Sequence, residues 1–118
     1  MSGTTGDTTR ETWMEEQARN WILVWNDGDP RSLPLADDFA HTSPYGTITG
    51  RETYLDTVIP QAKQSVMRLT VDDVLVAGPR AVVRYRMEGS GGSVTPACDW
   101  LEFTDDRLAR VWSYYDRS

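Results

Sequence analysis

"CDWLEFTDDRLARVWSYYD", Cys98–Asp116, decides the fold. Two runs in which large apolar and polar side chains alternate are separated by an acidic turn, Thr104–Arg107, the pattern of an antiparallel hairpin. Parity divides each run into two faces. Ala97, Asp99, Leu101 and Phe103 oppose Cys98, Trp100 and Glu102; Val111, Ser113 and Tyr115 oppose Trp112 and Tyr114. Upstream, "AVVRYRM" sets Ala81, Val83, Tyr85 and Met87 against Val82, Arg84 and Arg86, and "VMRLTVDDVLV" supplies one more strand. The connections "AGPR" and "EGSGGS" complete three hairpin turns, so the second half of the chain reads as a four-stranded antiparallel meander. Pro96 cannot donate to a ladder and belongs at a bulge or an unpaired edge.

The first half reads as helical. Thr8 and Thr12 are each followed three residues later by Glu, either of which allows a capping box. Met14, Ala18, Trp21, Ile22 and Trp25 then recur at steps of three and four, giving one buried stripe. Gly28 suits a left-handed helix end. Asp29–Pro30 suggests a short second helix cut near Pro34. "FAHTS", Phe39–Ser43, alternates as a strand of about five residues into the turn "PYG". Thr49 and Glu52 cap a third helix that places Leu55, Val58 and Ile59 on one face and stops at Pro60. A tail is expected over residues 1–7 and a single domain over 8–118.

Composition limits what such a domain does. At 118 residues and 13.4 kDa the chain can bury one core without staples. The lone Cys98 has no internal disulfide partner, and "MSGTTGDTTRET" has neither the basic start nor the apolar run of a signal peptide. A cytoplasmic protein is expected. A net charge of −6 repels a phosphate backbone, and no apolar run is long enough to span a bilayer, so neither nucleic acid nor membrane is an expected partner. One histidine and scattered carboxylates make no metal cluster. "GSGG" links strands instead of opening a helix, so no nucleotide cofactor is expected either.

Helix, short helix, strand, helix and curved meander, with "WNDGD", "LADDFAHTSPYG", "TGRE" and "CDWLEFTDDRLARVWSYYD" in that order, resembles the nuclear transport factor two-like superfamily. The likeness is to its SnoaL-like polyketide cyclase and ketosteroid isomerase branch and runs from Trp13 to Asp116. It implies an α+β cone, three N-terminal helices on a curved, mainly antiparallel sheet enclosing an apolar cavity. Carried over residue by residue, the isomerase base falls on Ser43, which cannot act as a carboxylate. The oxyanion-hole tyrosine falls on Trp21, an N–H donor, and the protonated acid of that hole on Asp99.

The chain offers a substitute for the missing base. His41, two residues before Ser43 on the same strand face, is expected to enter the cavity and accept a proton. The plainer alternative is a packed histidine satisfied by a neighbour. Asp99, in an inward apolar row, must be paired or protonated; it would either polarise a substrate carbonyl or, ionised, orient His41. His41, Asp99 and Ser43 are thus the catalytic candidates. Trp21, Trp25, Phe39, Tyr54, Tyr85, Met87, Leu101, Val111, Ser113 and Tyr115 are the candidate cavity lining, with core packing the default for the two tryptophans. The expected activity is isomerisation, cyclisation or dehydration of a small hydrophobic carbonyl compound without a cofactor. Epoxide opening and a non-catalytic ligand-binding or dimerisation module are the alternatives. Rings on the outer face suggest a homodimer through Arg84, Arg86, Trp100, Glu102, Trp112 and Tyr114.

Overall fold

The structure, a computed structural model, describes residues 2–64 and 67–116, with side chains from residue 9 onward. Helix α1 (Ser2–Asp27) buries Met14, Ala18, Trp21, Ile22 and Val24 and rests on the meander. Thr8 and Thr12 lie inside this helix, so neither capping box marks its start. Residues 2–7 of the expected tail belong to α1, with their side chains not described, and Met1 lies outside the described residues.

Gly28 ends α1 for a reason other than the one expected. Its φ is not among the positive values. A Cβ there would sit 2.8 Å from the backbone Cα of Val24, while its N–H closes the helix on the Val24 carbonyl at 2.9 Å. Crowding, not a left-handed turn, calls for glycine here.

The expected second helix is a single 3-10 turn, Pro30–Ser32, so the cone has two α-helices and not three. Asp29 does cap it, accepting from the Arg31 N–H at 3.0 Å. Pro34 leaves too few residues for an α-helical turn to propagate. Helix α2 (Arg51–Gln64) passes through Pro60 where a stop was expected. A proline removes one backbone bond and strains the turn, but Tyr54, Leu55, Val58 and Ile59 anchor the turns before it, and one further turn follows.

Strand β1 (Leu35–Ser43) is longer than "FAHTS" and turns back as β2 (Gly46–Thr49), a strand the sequence reading missed. The meander follows as β3 (Arg68–Ala77), β4 (Arg80–Glu88), β5 (Val94–Thr104) and β6 (Arg107–Tyr115). Val66, expected to open β3, lies outside the described residues. The order β2-β1-β6-β5-β4-β3 makes one six-stranded mixed sheet, because β1 runs parallel to β6 while every other pair is antiparallel. Register shifts in β1, β3 and β5–β6 bend it around the helices. Pro96 pairs with Arg86 on β4, but the β5–β6 ladder begins only at Ala97, so proline meets no partner on that side.

Parity held along the meander. Ala81, Val83, Tyr85, Ala97, Leu101, Phe103 and Val111 are buried beneath the helices, and so are two polar residues, Asp99 and Ser113. Each fully buried large apolar side chain contributes roughly 1.5–3 kcal/mol to this core. No helix among the described residues is long and apolar enough to cross a membrane.

Candidate functional site

Five rings meet where α1, β1 and α2 converge. Trp21 and Trp25 come from successive turns of α1, Phe39 and His41 from alternate positions of β1, and Tyr54 from α2. The His41 ring stands edge-on to Trp21 at 5.4 Å and to Tyr54 at 5.3 Å between centroids. Phe39 meets Tyr54 at 5.0 Å, and Trp21 stacks on Tyr54 at 6.1 Å. The arrangement turns His41 inward, as the parity of β1 requires, and fills the space between sheet and helices with rings.

A chain of polar groups runs behind these rings. Asp99 is 2% exposed, and both of its oxygens are occupied. Trp21 donates its indole N–H to Oδ2 at 2.7 Å, and Tyr85 donates its hydroxyl to Oδ1 at 2.8 Å. Ser113 lies opposite Asp99 in the β5–β6 register, with its hydroxyl on the same inner face. From there its Oγ reaches His41 Nε2 at 2.7 Å. The order is therefore Asp99, Ser113, His41, with Trp21 and Tyr85 holding the acid.

Burial dominates the titration of both ends. It raises Asp99 to about 6 despite the bonds from Trp21 and Tyr85, which favour the anion. It lowers His41 to about 4, so the imidazole is neutral at pH 7. Tyr54 and Tyr85 are pushed well up, first by burial and then by the Asp99 charge, and stay protonated.

The other expected residues fall into separate groups. Ser43 is not bonded to His41; it accepts from the Tyr45 N–H at 3.2 Å. It lies on a surface cleft of about 340 Å³ at the ends of β1 and β6, with Thr42, Pro44, Trp112, Ser113, Tyr114 and Tyr115. Ser113 thus borders solvent-accessible space on one side and the buried chain on the other. Leu101 and Val111 are core residues bordering neither this cleft nor the one beside Trp25, Ile59 and Lys63. Met87 is half-buried against the edge of the core, between Leu69 and Thr95 in the sheet register.

Two features escaped the sequence reading. Trp21, expected to offer its N–H to a substrate, gives it to Asp99 instead. Ser113, expected only as one hydroxyl among several, is the hydrogen-bond partner of the imidazole and lies opposite Asp99 in the register. Its inward parity was visible; its register with Asp99 was not. Among the described residues no three His, Cys, Asp or Glu side chains cluster closely enough to hold a metal ion.

No curated protein matches the chain. Among solved structures, an NTF2-like protein of unknown function from Mesorhizobium loti is 23% identical with a TM-score of 0.77, over 91% of this chain and 93% of that one. A candidate ketosteroid isomerase from Kribbella flavida is 22% identical with a TM-score of 0.73, over 92% and 81%. A candidate SnoaL-like polyketide cyclase from Jannaschia sp. CCS1 is 16% identical with a TM-score of 0.75, over 90% and 87%. At these identities the likeness is one of fold. The SnoaL-like domain family matches residues 18–111, most of the chain, and with the bent sheet and its helices this places the protein in that family, within the nuclear transport factor two-like superfamily.

Proposed function

We propose that the protein is a cofactor-independent acid–base enzyme, of isomerase, cyclase or dehydratase type, acting on a small hydrophobic carbonyl compound such as a polyketide or steroid-like molecule. One observation carries the reading: a histidine bonded to Ser113 and a buried carboxylate opposite that serine in the sheet register converge beside a cluster of aromatic rings. Such convergence of titratable groups in an apolar setting suits proton abstraction beside a carbonyl. The Kribbella and Jannaschia structures support the same substrate class.

In this mechanism His41 takes a proton from carbon next to the carbonyl and returns it at a second position. Asp99, one hydroxyl away, offsets the charge that forms on the ring. The hydroxyls of Ser43 and Tyr115, at the cleft, are placed to hydrogen-bond the developing enolate oxygen. Epoxide opening is less well supported, because Asp99 is buried behind indole and phenol donors and does not border the surface cleft where water enters.

A ligand-binding or dimerisation module is the second reading, favoured by the rings that fill the interior. The donors to Asp99 are side chains and not backbone, which speaks for a poised site over a packed one. In either reading the protein is a homodimer through the outer sheet face of Arg84, Arg86, Trp100, Glu102, Trp112 and Tyr114.

The test is turnover of a panel of hydrophobic ketones and enones. His41→Ala and Asp99→Asn should each reduce turnover about 100-fold or more while the fold persists, and the double variant should be little worse than either. Ser43→Asp should add double-bond migration on a steroid enone, since it restores a carboxylate at the strand end. Tight binding without turnover, or turnover untouched by both single variants, would favour the module.

A further inference from the structure

At the surface cleft the exposed partner of the imidazole is a serine. Ser113 forms part of the cleft wall at the ends of β1 and β6, whereas His41 does not border it. The two meet across strands: Ser113 Oγ lies 2.7 Å from His41 Nε2. In the parallel ladder His41 pairs with Val111, and Ser113 stands one residue past the last rung, Thr42–Trp112, so the cleft opens where β1 stops covering β6. Ring contacts fix the aim of the imidazole, with Trp21 at 5.4 Å and Tyr54 at 5.3 Å, both edge-on. With hydrogen on Nδ1, Nε2 turns its lone pair to the Ser113 hydroxyl. A hydroxyl on a cleft with an imidazole acceptor behind it is the arrangement that makes serine reactive.

We infer that Ser113 is a nucleophile with His41 as its general base, and that the cleft accepts small, uncharged carboxylic esters. Oγ bonds to the ester carbonyl carbon as its proton passes to Nε2. The bond from that carbon to the alcohol oxygen then breaks, and the imidazolium gives the proton to the departing oxygen. Water adds to the acyl-serine and leaves one proton on Nε2; the carboxylic acid departs as that proton returns to Oγ. The sum is ester and water to acid and alcohol, with nothing oxidised or reduced.

The substrate class follows from the wall. Among the described residues no charged side chain lines the cleft, so nothing there offsets a charge on the ligand, and the net charge of −6 repels an anion. Trp112, Tyr114 and Tyr115 contribute rings, and the volume lies at the small end of the roughly 300–1,000 Å³ of ligand sites. The hydroxyls of Ser43 and Tyr115 belong to the same wall and can donate to the carbonyl oxygen as it becomes an oxyanion. Only Trp112 and Tyr114 of this wall belong to the outer face proposed for a second copy, which would close the cleft on that side alone. This chemistry needs the Ser113–His41 bond and the cleft but no proton abstraction from carbon, so it goes beyond the isomerase reading and does not rest on it.

Phenylmethylsulfonyl fluoride, small, aromatic and uncharged, sulfonylates activated serines with loss of fluoride and tests this on the full-length protein. The intact mass should rise by one phenylmethylsulfonyl group, and peptide mapping should place it on Ser113. H41Q and urea-unfolded wild type should label at least about 100-fold more slowly, because each withdraws the base. S113A should take none, and its hydrolysis of p-nitrophenyl acetate should fall to the level of the unfolded chain. No adduct on the folded wild type, an adduct on Ser43 or Tyr115 in place of Ser113, or equal labelling of folded H41Q overturns the inference. Mapping on the wild type decides it even where a variant does not fold. If Ser113 is labelled and no ketone or enone is turned over, the nucleophile stands and the isomerase reading falls.

Discussion

Asp99 and Trp100 are neighbours on β5 and face opposite worlds. Asp99 points inward, 2% exposed, with donors on both oxygens; Trp100 points outward, 37% exposed, beside Arg80 and Glu102. The same alternation separates Ser113 from Tyr114, which is 60% exposed. A polar residue on the inner face is held by buried side-chain donors, whereas the large rings on the outer face are held by exposed charged neighbours or stand in solvent.

The contrast breaks first in packing. Tyr54→Ala removes a buried ring that touches Trp21, Trp25, Phe39 and His41, and should cost about 3–5 kcal/mol in urea unfolding. Tyr114→Ala, on the other face, should stay within about 0.5 kcal/mol at a concentration where the protein is monomeric. Equal losses would mean that the two faces are not distinct.

The pH dependence of stability sharpens it further. His41 is neutral in the fold down to about 4 but titrates near 6.5 when unfolded, so the unfolded chain holds more protons in that window and stability falls as pH drops through it. Asp99 works in the other direction. Raised from 3.8 to about 6, it makes the folded chain the better proton binder between those values, and stability rises as pH drops. In the wild type the two nearly cancel. Asp99→Asn should therefore lose about 3 kcal/mol more than the wild type between neutral pH and pH 4, and His41→Gln should gain by a similar amount, as read from denaturant midpoints at each pH.

Smaller effects follow. Trp21→Phe keeps the ring but withdraws a donor from Asp99; a loss of about 1–3 kcal/mol in urea unfolding is expected, together with a further rise in the pH at which Asp99 titrates. Trp100→Ala should leave monomer stability within about 0.5 kcal/mol yet shift sedimentation toward monomer at micromolar concentration. An unchanged sedimentation profile would remove the outer face as the contact between copies.

What could be read from the sequence was whatever depends on local periodicity. The parity of β4, β5 and β6 named the inward row from Ala81 to Ser113 correctly, and the stripe on α1 identified Trp21 as buried. What depends on register could not be read. Nothing in "RVWSYY" says that Ser113 meets Asp99, because a ladder shifted by two residues keeps the same parity. Trp21 was likewise visible as an N–H donor but not as the donor to Asp99, a contact across 78 residues. Strand β2 was missed because four residues between two turn signals leave little pattern, although the turn before it was recognised. Pro60 misled in the opposite sense: a strong local breaker sits in a helix already anchored by the turns before it.

The parallel pairing of β1 with β6 has a kinetic consequence. His41 and Ser113 are 72 residues apart in the chain, and their bond lies across the ladder that joins the β1–β2 hairpin to the meander. Hairpin contacts close short loops and form early; this ladder closes a long one and should form late. In a refolding experiment the meander strands should gain amide protection before the indole of Trp21 reaches its native fluorescence. The site would then be assembled in the last step of folding, so that a chain stalled before it has most of its sheet and none of its chemistry.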